Sequence, residues 1–218
     1  MTRIKICGVT NWADAKFCVD AGASALGFNF YARSPRSVSP ATAWDMIRRL
    51  PPFVSAVGVF VDWQPEAVSS LARALHLHGA QLHGDESADD VKTLAGQISV
   101  IKAIQVKSGF RPESLRKFSG ASAILLDGFR EGLHGGTGAT VDWTLAARAS
   151  SQAKIILAGG LTPENVANAI GIALPYAVDV ASGVEAKPGK KDSQLVRAFI
   201  SAVAGADDSA ARANPKHR

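Results

Sequence analysis

The chain has 218 residues, 47% of them hydrophobic and 20% charged, with a net charge of +5, a balance that suits one globular domain. No apolar run reaches the about 18 residues of a membrane span, and Lys and Arg are scattered rather than gathered into the stripe that nucleic acid requires. Two cysteines, Cys7 and Cys18, cannot make a disulfide framework, so a reduced, cytoplasmic setting without a secretory leader is expected.

Taken in order, short apolar runs alternate with helical patterns. Strand-like segments fall at residues 3–7, 25–30, 54–61, 79–82, 100–104, 123–126, 155–158 and 177–180. Helical segments follow at 11–21, 40–50, 65–75, 88–94, 112–118, 142–149, 163–170 and 192–203, with proline repeatedly at the helix start. Eight such βα units over this length predict an α/β protein, a single (β/α)8 TIM barrel occupying residues 1–204. Residues 205–218 are rich in Ala, Asp, Ser and Arg without apolar periodicity, and are expected to be a disordered tail.

In such a barrel the loops at the C-terminal ends of the strands carry the chemistry. Cys7 closes the first strand beside Gly8, where a ligand can reach it, whereas Cys18 on the first helix reads as a small buried hydrophobe. In the loop after strand two, Ser34-Pro35 stiffens the backbone and Arg36 can offer a bidentate fork to a carboxylate, while Arg33 reads as a solvated charge. His76, His78 and His83 invite a metal reading, but strand four separates His83 from the other two by roughly 13 Å, which leaves His83 alone at the active rim and no metal site.

Asp127 ends strand six directly, and the loop behind it, residues 128–140, is long and glycine-rich. The run from Ile155 to Ala158 reads as a strand buried on both faces and ends in Gly159-Gly160. Thr162 then reads as an N-cap and Pro163 as the first helical residue, so strand, glycine turn and helix start compose an anion site. Two further turns echo it: Gly136, Thr137 and Gly138 before, and Ser182-Gly183 after. Together the three predict a phosphate site. Asp179, near the end of strand eight, is placed to orient a sugar hydroxyl.

Six of these stretches, Lys5-Ile-Cys-Gly8, Ser34-Pro-Arg36, Gln81-Leu-His-Gly84, Leu126-Asp127 with Gly135–Gly138, Leu157-Ala-Gly-Gly-Leu161 and Asp179-Val-Ala-Ser-Gly-Val-Glu185, resemble phosphoribosylanthranilate isomerase, in family order from residue 3 to Asp192. Ala181 stands where that family often has Ser. The resemblance implies an Amadori rearrangement in tryptophan biosynthesis, with Cys7 as general base, Asp127 as general acid, and neither cofactor nor metal. It further implies a small phosphorylated substrate; no nucleic-acid or membrane partner is expected from the charge and apolar patterning, and a monomer or weak homodimer is expected. Other readings are a barrel enzyme cyclising the next intermediate, which would set catalytic lysines at strand ends, and a histidine-pathway isomerase with paired aspartates. A phospholigand-binding barrel without chemistry is the non-enzyme alternative.

Overall fold

The structure is a computed structural model that describes residues 1–128 and 142–213. Eight parallel strands close into a barrel in sequence order: β1 (Arg3–Cys7), β2 (Ala25–Asn29), β3 (Ser55–Phe60), β4 (Gly79–Leu82), β5 (Ser99–Val106), β6 (Ala123–Gly128), β7 (Ile155–Leu157) and β8 (Ala177–Val180). The crossovers are α1 (Trp12–Ala21), α2 (Pro40–Ile47), α3 (Pro65–Ala74), α4 (Ala88–Ala95), a 3-10 helix at Pro112–Phe118, α5 (Trp143–Ala149) and α6 (Val166–Ala173), with α7 (Ser193–Ala213) closing the ring. The expected (β/α)8 architecture is therefore the observed one.

Local chemistry accounts for where these helices begin. The side chain of Asn11 accepts from the Asp14 amide, Ser39 from Thr42, Ser87 from Asp90 and Asp142 from Leu145, each satisfying an amide that the first turn leaves unpaired. Pro40 and Pro65 lie in the first turns of α2 and α3, where a missing N–H costs nothing. The helix expected from Pro163 starts instead at Val166. Asn165 turns its side chain back on the loop, accepting from the Thr162 amide and donating to the Gly160 carbonyl. Thr162 is consequently not an N-cap, and the glycine turn after β7 is followed by a locked loop rather than directly by a helix.

Strand parity decides what lines the barrel. Ile4 and Ile6, Ile124 and Leu126, and Val178 and Val180 pack in the large core between strands and helices. The alternate residues must then face inward. Ala103, Ala123, Leu125, Ile156, Ala158 and Ala177 fill the barrel interior as a separate cluster. Above that apolar plug, the next inward positions are polar: Lys5 and Cys7 on β1, Gln81 on β4, Asp127 on β6 and Asp179 on β8.

Towards the C-terminus, residues 205–213 continue α7. Alanine-rich sequence favours helix without needing an apolar stripe. Asp207 also anchors this helix, accepting from the Thr2 amide at 2.7 Å and the Thr2 hydroxyl at 2.8 Å. Between β8 and α7 a short hairpin, β9 (Glu185–Lys187) and β10 (Lys190–Lys191), folds beside the barrel mouth.

Candidate active site

A pocket opens at the C-terminal ends of the strands, and Cys7, Arg36, His83, Asp127, Gly159, Gly160 and Asp179 all line it. These residues come from loops and strands up to 172 positions apart in the chain (Asp179 minus Cys7) and are brought together by barrel closure. Ser182 and Gly183 lie just beyond. A Cβ on Gly183 would collide with the Leu161 carbonyl and stand 3.3 Å from the Thr162 Cα, so the turn after β8 packs directly against the turn after β7. Gly136, Thr137 and Gly138 lie outside the described residues.

At one wall, Lys5 and Cys7 face inward from β1. Lys5 is 4% exposed and its Nζ lies 2.9 Å from Asp179 Oδ1, its direct cross-strand neighbour on β8. Opposite on β2 stands Gly27, where a Cβ would be 2.7 Å from Cys7 Sγ and 3.1 Å from Lys5 Nζ. Its missing side chain makes the space that thiol and ammonium share. Burial pushes the Cys7 thiol up, and the Lys5 ammonium, which hydrogen-bonds it, is the strongest influence pulling it back. For Lys5 the balance reverses: burial disfavours its charge, but Asp179 and Cys7 outweigh that and raise its pKa. Sequence reading missed Lys5 and Gly27, although Lys5 sits in a stretch it singled out, two residues before Cys7 on the same strand face.

At the facing wall, Asp127 is 3% exposed. His83 Nε2 lies 3.2 Å from Asp127 Oδ2, close but bent from the line of a hydrogen bond. Gln81 Nε2 is 2.9 Å from His83 Nδ1. The other carboxylate oxygen, Oδ1, borders the turn after β7: a Cβ on Gly159 would stand 2.7 Å from it and would collide with the Gly128 amide. Gly159 also holds a positive φ of 77°, so glycine is required there twice over. His78, at the other end of β4, accepts from the Ala56 amide, which keeps it away from this pocket.

Arg36 is held by a carboxylate within the chain. Its stem passes over Gly8, and its Nε and Nη2 bond the carboxylate of Glu185 on β9. A guanidinium has five N–H donors, so this pairing uses the side edge and leaves the end-on edge for a ligand. Ser34 supports the loop, accepting from the Asn29 side chain and from the Arg36 amide. Arg33 is exposed, in keeping with a solvated charge. Lys102 on β5 points out of the barrel to Glu86 at 2.7 Å and to the Gly84 carbonyl.

Comparison with known proteins decides the family. The family model described as N-(5'phosphoribosyl)anthranilate (PRA) isomerase matches residues 4–202. The chain belongs to the phosphoribosylanthranilate isomerase family. An N-(5'-phosphoribosyl)anthranilate isomerase of Prosthecochloris aestuarii is 46% identical over 216 residues, covering 95% of this chain and 97% of that protein. The crystal structure of phosphoribosyl anthranilate isomerase from Thermotoga maritima superposes with a TM-score of 0.88 at 43% identity, over 94% of this chain and all of that one. Another structure of the family, in complex with reduced 1-(o-carboxyphenylamino)-1-deoxyribulose 5-phosphate, superposes at 0.85 with 42% identity, over 94% of this chain and 100% of that one. In this phosphoribosylanthranilate isomerase fold, no helix among the described residues is long and apolar enough to cross a membrane.

Proposed function

We propose that the chain converts N-(5'-phosphoribosyl)anthranilate to 1-(2-carboxyphenylamino)-1-deoxyribulose 5-phosphate, the Amadori step of tryptophan biosynthesis. The observation that carries this reading is that one pocket holds an inward thiol and an inward carboxyl on separate strands, with the glycine turn after β7 against the acid.

Asp127 is the general acid. It delivers a proton to the ribose ring oxygen, the C1–O bond breaks, and the nitrogen lone pair forms a protonated imine. The imine withdraws electrons from C2, so the C2–H bond becomes acidic. Cys7 as thiolate takes that proton, and the resulting enolamine tautomerises to the ketone. Electron withdrawal comes from the substrate's own nitrogen, and the site has to supply one acid and one base.

Arg36 holds the substrate's aromatic carboxylate on its end-on edge, while Glu185 fixes the other. The phosphate rests on backbone amides of the paired turns at Gly159-Gly160 and Ser182-Gly183, with Gly136, Thr137 and Gly138 contributing from the loop after β6. Asp179 takes a ribose hydroxyl while it steadies Lys5, and His83 completes the wall beside Asp127. Lys102, turned away from the pocket, weighs against a barrel enzyme that needs a strand-end lysine. The chain acts as a monomer or weak homodimer in the cytoplasm. Sedimentation at several concentrations tests the first half of that statement.

Freshly prepared phosphoribosylanthranilate tests the reaction. Purified protein is expected to deplete the anthranilate fluorescence in step with product formation. A stable signal at micromolar protein would overturn the reading and leave a phospholigand-binding barrel.

A further inference from the structure

We propose that Gln81 is a positioning residue for the acid end of the site: its side-chain amide donates to Nδ1 of His83 and so holds the imidazole in the tautomer whose Nε2–H faces Asp127. The inference rests on the isomerase reading above, because it assigns part of that reaction's machinery.

Gln81 and His83 lie two residues apart at the end of β4, so both side chains point into the barrel. A neutral imidazole has one donor nitrogen and one acceptor nitrogen, and the partner of one decides the character of the other. Gln81 Nε2 stands 2.9 Å from Nδ1, an arrangement in which the amide donates and Nδ1 accepts. Nε2 must then carry the hydrogen, and it lies 3.2 Å from Asp127 Oδ2. The bend in that contact fits a catalytic hydrogen bond that straightens once substrate occupies the pocket.

Packing alone does not account for a glutamine here. Gln81 is 1% exposed, and its Oε1 is buried without a partner among the described residues. Turning the amide over would set Oε1 against Nδ1, impose the opposite tautomer and leave the amide nitrogen unpaired instead. An apolar side chain would avoid that cost. What the amide achieves is selection between the two oxygens of Asp127. Oδ2 is the oxygen that the imidazole faces at 3.2 Å, and Oδ1, beside Gly159, is left to carry the proton.

The first test needs no variant. Two-bond proton–nitrogen correlation spectra of nitrogen-15-labelled protein at pH 8, with His83 signals identified by their loss in His83→Ala, are expected to show the Nε2–H tautomer. A dominant Nδ1–H tautomer in protein with full isomerase activity overturns this inference alone. Wild-type protein without isomerase activity overturns the functional reading and this inference with it.

The second test is Gln81→Met. It is expected to mix the tautomers and lower kcat by roughly 10-fold, short of the about 10²–10⁴-fold for losing an acid outright, with KM nearly unchanged. In a His83→Ala background the same change should cost little. An unchanged kcat, or an equal loss in both backgrounds, overturns the proposal.

Discussion

Glu185 grips the side edge of the Arg36 guanidinium, with Nε 2.9 Å from Oε1 and Nη2 2.7 Å from Oε2. The same carboxylate takes Lys191 Nζ at 2.8 Å, and that ammonium also bonds the backbone carbonyl of Cys7 at 2.6 Å. One carboxylate thus links the loop after β2 to the end of β1. Burial pushes Glu185 up, but Arg36 and Lys191 together outweigh it and hold its carboxyl below the usual range.

Glu185→Ala is therefore predicted to do two things. It leaves the Lys191 ammonium, which is 0% exposed, without a counter-charge. The expected loss is about 3 kcal/mol, the low end for breaking a buried pair because pocket solvent reaches the Arg36 side. Denaturant titration measures it. Because the folded carboxyl sits below its ordinary value, its contribution is present above about pH 4.5 and fades as pH falls through the folded value. The stability gap between wild type and variant should narrow in that acid range. A constant gap would mean the charge is not what stabilises.

Arg36→Lys is predicted to weaken the carboxylated substrate by about 1.5–3 kcal/mol, the range for a hydrogen bond to a charged group. The change also loosens the pairing with Glu185, so the informative quantity is a difference. Binding of a product analogue with and without its aromatic carboxylate should be compared in both proteins. Equal losses for the two ligands would assign Arg36 to loop structure rather than to the carboxylate.

Cys7→Ser and Asp127→Asn should each lower kcat by about 10²–10⁴-fold. Cys18 supplies the control: burial pushes its thiol up to about 12, so Cys18→Ala should stay active and iodoacetamide near pH 8 should label Cys7 alone. The Cys7 thiol is also pushed up, and its basic form is the thiolate, so labelling and kcat should both rise with pH through the neutral and alkaline range. Lys5→Met removes the strongest opposing influence and should move that rise to higher pH. Labelling that ignores pH, or that falls on Cys18, would defeat the assignment of the base.

Gly183→Ala tests the paired turns. Its Cβ meets the Leu161 carbonyl, so the turn after β8 must move off the turn after β7. KM for the phosphorylated substrate should rise at least about 10-fold, the effect of roughly 1.4 kcal/mol, with kcat much less affected. Gly159→Ala is the contrast, since its Cβ also crowds Asp127 Oδ1 and should lower kcat as well. The same kinetic response in both variants would separate neither role.

The alternation of short apolar runs with capped helices was readable from the chain because it depends on local periodicity and turn chemistry, and it led correctly to a closed eight-strand barrel. The ends of the strands were readable too: residues such as Cys7 and Asp127 follow a buried run directly, and barrel geometry places such residues at one mouth. Helix limits were less so. Thr162 has the side chain of an N-cap, yet Asn165 claims its amide, and α7 past Gly205 is tied through Asp207 to Thr2, 205 residues away.

What only the tertiary structure decided is pairing. Lys5 is an unremarked lysine in an apolar strand until barrel closure sets β8 beside β1 and brings Asp179 opposite it. Gly27 matters only because Cys7 and Lys5 need its empty volume, and Arg36 meets Glu185 across 149 residues. Inward-facing charges in a closed barrel must find partners on other strands, because water does not solvate them there. Which strand supplies the partner is set by register and closure, quantities that no local pattern of residues carries.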